Sequence, residues 1–136
     1  MSWDVLIMRF PEDFKGFNDL PDKWEPEELF THNFFATEIK ILFPKINDAD
    51  KNWITLKEET FSIEFNTGDD DDPISHIMLH VRGGDEALKV IELLCKKFNV
   101  QAFDTTEGEI INFENKPTKG FTQWRKYKDT VLKKKK

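Results

Sequence analysis

The sequence predicts an α+β fold, with a mixed, mostly antiparallel sheet and helices packed on one face. Three patterns within residues 61–98 predict it. Two runs, FSIEF and IMLHVR, alternate apolar and polar side chains, as half-buried strands do. A turn of four aspartates separates these runs. A Gly-Gly corner then leads into EALKVIELLCKKF, whose apolar residues recur at helical spacing. We therefore expect a hairpin followed by an amphipathic helix.

The chain before this region predicts a strand, a long connection, a helix and a second strand. Residues 3–10, WDVLIMRF, are almost continuously apolar, which is typical of a central strand covered on both faces. Residues 11–28 hold three prolines and many acids, so we expect a connection. Helical spacing predicts a helix over 33–43, capped by Thr31 or Asn33 and ended by Pro44. Residues 53–56 predict a short strand.

Residues after the hairpin predict a helix, two strands and a last helix. Asp85 is well placed as an N-cap, and Asn99 suits the left-handed position that follows a helix. Residues 100–104 and 109–113 predict strands, and Thr118 can cap a C-terminal helix. The order is β-α-β-β-β-α-β-β-α. The nearest named arrangement is a ferredoxin-like core with an added C-terminal helix.

The length and the charge of the chain predict a single acidic domain. The 136 residues suit one domain, which we expect to span 1–132, with a basic, flexible tail at 133–136. Residues 1–115 carry 11 basic and 25 acidic side chains, a net charge of -14. Residues 116–136 carry 9 basic and 1 acidic, a net charge of +8. We interpret the basic end as a helix docking on the acidic body; a nucleic-acid arm is the alternative. An acidic body repels nucleic acid and attracts a basic partner.

The composition also predicts the cellular compartment of the protein. No apolar run approaches the ~20 residues of a membrane helix, and Asp4 stands where a signal peptide carries basic residues. Cys95 is the one cysteine of the sequence, so no intramolecular disulfide forms. We expect a cytoplasmic protein with no membrane partner, in which Cys95 is a core residue rather than a nucleophile.

The HVRGGDE corner is the best candidate for a ligand site. Two glycines before a helix let backbone N–H groups approach an anion, and Arg82 could hold a phosphate or carboxylate. The predicted ligand-binding residues are thus His80, Arg82, Gly83 and Gly84. The alternative is a tight turn that needs glycine for its backbone angles, beside which Asp85 would compete with an anion.

The second candidate is the polar face that leads to this corner. Here His80 could act as a general acid or base, oriented by Asp104, with Glu64 nearby. His76 lies on the same strand face but roughly 13 Å from His80, too far for the two to share a metal. The alternative is an exposed sheet face on which Glu64 pairs with His80 or Arg82 across the strands.

No pattern predicts a metal or cofactor. The aspartates at 69–72 lack the spacing, the central glycine and the closing glutamate of an EF-hand, so we expect a solvated turn. No nucleophile elbow, CxxC or HExxH motif occurs in the sequence.

Aromatic residues exceed what a small core usually needs. Exposed aromatics amid acids would make a protein-binding surface, whereas an N-terminal connection wrapped around the sheet would bury them. The residues concerned are Trp3, Trp24, Trp53, Trp124, Phe14, Phe17 and Phe30.

The segments MSWDVLIMRFP, FSIEFNTGDDD, HVRGGDEA, AFDTTEGE and WRKYKD together resemble a family of small, uncharacterised bacterial proteins that begin with MSWD. The resemblance covers nearly the whole chain. It implies a bacterial, single-domain protein and supplies no catalytic residues. In size, acidity and aromatic content the chain is more loosely similar to immunity proteins of bacterial toxin systems, including the SMI1/KNR4 type.

Two functions follow as hypotheses. The first is a non-enzymatic interaction domain, such as an immunity-like inhibitor whose acidic surface covers a basic toxin. The second is a small anion-binding domain or enzyme in which His80, Arg82 and Asp104 converge on one pocket.

Overall fold

Two helices and a six-stranded sheet form the part of the chain that the structure, a computed structural model, describes: residues 2–12, 14, 16–69 and 71–113. The predicted order of elements is confirmed through β6. The predicted C-terminal helix and the tail at 133–136 lie outside the described residues. The elements are β1 (Trp3–Met8), a 3-10 turn (Phe17–Asp19), α1 (His32–Leu42), β2 (Trp53–Lys57), β3 (Phe61–Asn66), β4 (Ile77–Gly83), α2 (Glu86–Phe98), β5 (Gln101–Asp104) and β6 (Glu109–Ile110).

The sheet has the strand order β2-β3-β4-β1-β5-β6. Each pair of neighbouring strands is antiparallel, so the sheet contains no parallel pair among the described residues. The strands on either side of α2, β4 and β5, run in the same direction but are separated by β1. The series β1-α1-β3-β4-α2-β5 is that of the ferredoxin-like arrangement, and β2 and β6 extend the sheet at its edges. The predicted α+β class is confirmed.

Both helices pack on one face of the sheet. Phe35 of α1 is fully buried, and its ring centroid lies 6.1 Å from that of Phe65 in β3 and 5.6 Å from that of Phe98 in α2. Ile39 of α1 and Ile91 of α2 are also fully buried. One aromatic and aliphatic core therefore joins the two helices to the central strands.

The helix ends follow from local chemistry. The Oγ1 of Thr31 accepts a hydrogen bond from the Phe34 N–H at 3.1 Å, so α1 begins at His32. Asp85 occupies the N-cap position of α2 without a side-chain cap hydrogen bond. Asn99 adopts the predicted left-handed conformation, with φ of 53°. The Arg9 guanidinium donates to the Asn99 and Phe98 carbonyls and closes the C-terminus of α2.

Phenylalanines of the N-terminal connection cover part of the other face. Successive side chains of a strand point to opposite faces, and Val5 is buried on the helix side of the sheet. Leu6 and its partner Phe103 therefore lie on the other face. The rings of Phe10, Phe14 and Phe17 lie 5.1–5.9 Å from that of Phe103. The connection thus wraps this part of the sheet.

The predicted aromatic surplus divides between buried and exposed positions. Trp3 is buried, Trp24 and Phe14 are half-buried, and Trp53 and Phe17 remain 41% and 42% exposed. Trp124 lies outside the described residues. Within the described chain, neither helix is long and apolar enough to cross a bilayer.

Candidate functional site

Over β2, β3 and β4, no described helix or strand covers the sheet face opposite α1 and α2, and we call this part the open face. Directly opposed residues of antiparallel strands share a face, so the strand register defines its members. They are Trp53, Thr55 and Lys57 of β2, Ser62, Glu64 and Asn66 of β3, Met78, His80 and Arg82 of β4, and the adjoining Asp4 and Leu6 of β1.

His80 lies at the centre of the open face, between Asp4 and Glu64 on the two neighbouring strands. Its Nδ1 is 2.9 Å from the Asp4 Oδ1, and its side chain is 21% exposed. The Trp53 ring stacks on the imidazole, with centroids 5.4 Å apart and planes 18° from parallel. Asp4 also accepts a hydrogen bond from Ser2 Oγ at 2.7 Å. The carboxylate and the indole together fix the plane of the imidazole.

Arg82 is engaged by Glu64. Its Nη1 donates to the Glu64 Oε1 at 3.1 Å, and both side chains are partly exposed. Glu64, His80 and Arg82 are therefore brought together as predicted. They meet as cross-strand charge pairs, which is the alternative arrangement that the sequence left open.

Asp104 lies on the opposite, helix-covered face of the sheet. It pairs with Val5 and is fully buried, whereas His80 pairs with Asp4 on the open face. Its Oδ1 accepts hydrogen bonds from the Trp3 Nε1 at 3.0 Å and from the Thr106 and Glu107 N–H groups. Asp104 and His80 therefore do not converge, and the expected orienting pair is formed by Asp4 instead.

The Gly-Gly corner is tightly packed. Gly83 has φ of 114°, and a Cβ on it would lie 2.3 Å from the Phe61 Cα. The Gly84 N–H donates to the Thr60 carbonyl at 2.9 Å. An anion would meet this occupied N–H and the neighbouring Asp85 and Glu86. These contacts favour the structural alternative, while ligand binding at Arg82, Gly83, Gly84 and His80 stays a prediction.

The aspartate turn is attached to α1, a contact that the sequence did not predict. Asp72 Oδ1 accepts a hydrogen bond from the His32 N–H at 2.8 Å and lies 2.6 Å from the His32 Nδ1. The backbone hydrogen bond, followed by the imidazole contact, lowers the pKa of Asp72. Asp69, Asp71 and Asp72 are exposed, as expected for a solvated turn. The turn is nevertheless fixed by a buried histidine.

This attachment brings two acidic segments together at one end of the molecule, beside the N-terminus of α1. Phe30 and Ile74 form a two-residue antiparallel bridge that joins the connection to the turn. Arg9 lies 3.4 Å from Glu27, and Lys23 is exposed nearby in the chain. We call the two joined segments the acidic end; their exposed carboxylates are Asp22, Glu25, Glu27 and Glu28 on the first and Asp69, Asp71 and Asp72 on the second.

Metal ligation and cysteine chemistry find no support in the described residues. None of their His, Cys, Asp and Glu side chains form a group of three that could hold a metal ion. Cys95 is buried, and burial, followed by the Glu92 charge, raises the pKa of its thiol to about 12. His76 precedes β4 and contacts Ser75, away from His80.

Asp4 and His32 are the two site residues that sequence reasoning missed. Asp4 interrupts the otherwise apolar WDVLIM strand, and this interruption is a usable signal for a polar partner on the uncovered face. His32 follows the Thr31 cap with no local pattern that points to Asp72.

The comparisons with known proteins identified no relative of this chain. A scan of protein-family models, a search of curated proteins and a search of solved structures each gave no match.

Proposed function

We propose that this chain is a non-enzymatic protein-interaction domain whose acidic end binds a basic surface on another protein. The observation that carries the proposal is the acidic end itself. The Phe30–Ile74 bridge and the His32–Asp72 contact hold carboxylates of two distant segments at one place. Fixed carboxylates of one sign attract a basic partner and repel nucleic acid.

Trp53 supplies an apolar contact at the same end of the sheet. It pairs with Asn66, the last residue of β3, and the Thr67 N–H that follows donates to the Asn52 carbonyl. One face of its ring is held by His80, and 41% of the residue is exposed. A rigid, exposed tryptophan beside charged groups is typical of an interface hot spot.

An immunity-like inhibitor that covers a basic toxin is the most concrete form of this function. The supporting features are the net charge of -14 over residues 1–115 and the acidic end that concentrates part of it. A cytoplasmic location belongs to the same proposal.

The test is affinity capture from the native host, followed by binding measurements with the captured protein. We expect a stoichiometric basic partner whose association rate falls steeply as salt rises. The double variant E28Q/D71N should weaken binding by roughly tenfold at low salt. The control E107Q/E109Q changes the net charge equally, on the β5–β6 hairpin, and should weaken it by less than about twofold. Equal losses from both doubles, or binding that does not depend on salt, would refute the proposal.

A small-ligand site or enzyme on the open face is the second candidate function. The observation that favours it is the Asp4–His80 pair, in which a carboxylate orients an imidazole that Trp53 stacks against. Arg82 would contact an anionic ligand after release from Glu64. The test follows the His80 and Arg82 resonances by NMR as candidate anions are added. The variant H80Q is the matched control. Unchanged His80 and Arg82 resonances at millimolar phosphate and acetate would count against this function.

A further inference from the structure

A groove lies beside the Gly-Gly corner, where α1 ends and α2 begins, and we call it the corner groove. Its volume is about 430 Å³, within the range of ~300–1,000 Å³ that ligand clefts occupy. The apolar residues Phe43, Leu56, Phe61 and Val90 line it together with Lys45, Glu58, Glu59, Thr60 and Glu86.

The apolar part of the groove combines both layers of the fold. Leu56 and Phe61 come from β2 and β3, Phe43 follows α1, and Val90 belongs to α2. Leu56 and Val90 are buried, whereas Phe43 and Phe61 are half-buried and remain accessible from the groove. The apolar floor is therefore an extension of the core that reaches the surface.

The rim of the groove is acidic. Glu59 and Glu86 are exposed, Glu58 is half-buried, and Lys45 is the single cation among the described residues that line the groove. Thr60 Oγ1 donates to the Glu86 Oε2 at 3.1 Å, and this hydrogen bond holds one carboxylate at the edge. Three carboxylates against one ammonium leave a negative potential over an apolar floor.

We propose that the corner groove binds a segment of a partner protein that carries both apolar and basic side chains. Lysine and arginine lay aliphatic stems on apolar surfaces while their charged heads reach outward, so the floor and the rim fit the two halves of such a side chain. The same carboxylates repel phosphate, nucleic acid and anionic lipid. The chemistry therefore selects a basic, amphipathic peptide.

The corner groove lies at the other end of α2 from the last described residue. The described chain ends at Phe113, which lines a different groove with Asn99, past the C-terminus of α2. The corner groove meets α2 at Glu86, in its first turn. At 1.5 Å per residue, the length of α2 places these two grooves roughly 20 Å apart.

This inference does not rest on the proposed function. The acidic end lies beside the first turn of α1, and the corner groove lies past its last turn. The two surfaces are at opposite ends of an eleven-residue helix. One can fail without the other.

The experiment uses the full chain and two fluorescein-labelled peptides of about 15 residues. One combines lysine and leucine at helical spacing, and the other replaces each leucine with serine at the same charge. We expect the lysine–leucine peptide to bind at least tenfold more tightly. In ¹H–¹⁵N spectra it should shift the amides of Thr60, Phe61, Glu86 and Val90. Equal binding of both peptides, or shifts confined to other surfaces, would overturn the proposal.

Paired variants locate the site independently of the spectra. E58Q/E59Q should weaken binding of the lysine–leucine peptide by roughly fivefold or more, and E107Q/E109Q, with the same charge change, by less than about twofold. Glu58 uses only its backbone N–H to close the turn onto Phe61, so the side-chain change leaves that hydrogen bond in place. Similar losses in both doubles would overturn the proposal.

Other occupants would also be visible and would overturn it. Groove amides that shift with protein concentration alone would indicate a second copy of the chain. Groove amides that shift, without peptide, when the four lysines at 133–136 are changed to serine would indicate the chain's own basic end.

Discussion

At Gly83, the backbone of β4 lies close to that of Thr60 and Phe61, where the β2–β3 turn leads into β3. Its positive φ and the 2.3 Å that would separate an added Cβ from the Phe61 Cα and the Thr60 carbonyl oxygen leave no room for a side chain. The backbone cannot move away easily, because Gly84 N–H is bonded to that same carbonyl.

We therefore expect G83A to lower the free energy of unfolding by more than ~2 kcal/mol, measured by urea denaturation. G68A is the matched control. Gly68 also has a positive φ, but a Cβ there would meet no atom within 4 Å, so strain alone should cost about 1 kcal/mol. Equal losses of stability in the two variants would show that the backbone shifts to make room for the Cβ at position 83, which would contradict the prediction.

Asp72 predicts a dependence of stability on acid pH. Its pKa is lower in the folded protein, so its contribution is fully present above the ordinary aspartate pKa and is lost as the pH falls through the lower, folded value. D72N should be less stable than the wild type at pH 7, and the difference should shrink as the pH falls below about 4.

Chemical denaturation across this pH range measures the effect. D71N removes the same charge from the neighbouring exposed position and should show a smaller difference at pH 7. A D72N deficit that stays constant at acid pH would contradict the assignment of this pKa shift to His32.

At the scale of the element, two side chains accept hydrogen bonds at the N-terminus of α1: Asp72 from the His32 N–H and Thr31 from the Phe34 N–H. Because Thr31 accepts the Phe34 N–H, T31A should lower the free energy of unfolding by about 1 kcal/mol. T37A, at an exposed position of the same helix, should change it by less than ~0.5 kcal/mol. Thermal unfolding of the two variants makes the comparison. If T31A is as stable as T37A, the cap contributes nothing.

Elements could be predicted from the sequence wherever the deciding contact is local. The stripe Ala87, Ile91, Leu94, Cys95 and Phe98 predicts α2, and Asn99 ends it. β1 ends at Met8 rather than at the predicted position 10, because the Phe10 N–H donates to the Gln101 side chain and not to a strand.

The candidate site could not be predicted in the same way, because its partners are set by the register of distant strands. The ferredoxin-like arrangement places β1 between β4 and β5, but neither alternation nor spacing indicates which residues lie opposite one another. The register puts Asp4 beside His80 and sends Asp104 to the covered face. The His32–Asp72 contact likewise joins positions far apart in the chain.

At the scale of the whole molecule, Cys95 reports opening of the core. Burial raises its pKa to about 12, so at pH 8 on the order of one thiol in 10,000 is the reactive thiolate. Labelling by a thiol reagent should be slow in native buffer, complete in urea, and faster in G83A than in the wild type. A labelling rate that is unchanged by G83A would indicate local access to Cys95 instead.

The central position of β1 has a consequence for synthesis. This strand leaves the ribosome before both of its partners, and the last of them, β5, ends at Asp104. At 5–20 residues per second, β1 waits roughly 5–20 s before its sheet can close. During that interval WDVLIM is an unpaired, mostly apolar strand. We expect the charges of Asp4 within it and of Arg9 after it to oppose aggregation, as gatekeeper residues do. The residue that orients His80 in the folded protein would thus also protect the nascent chain.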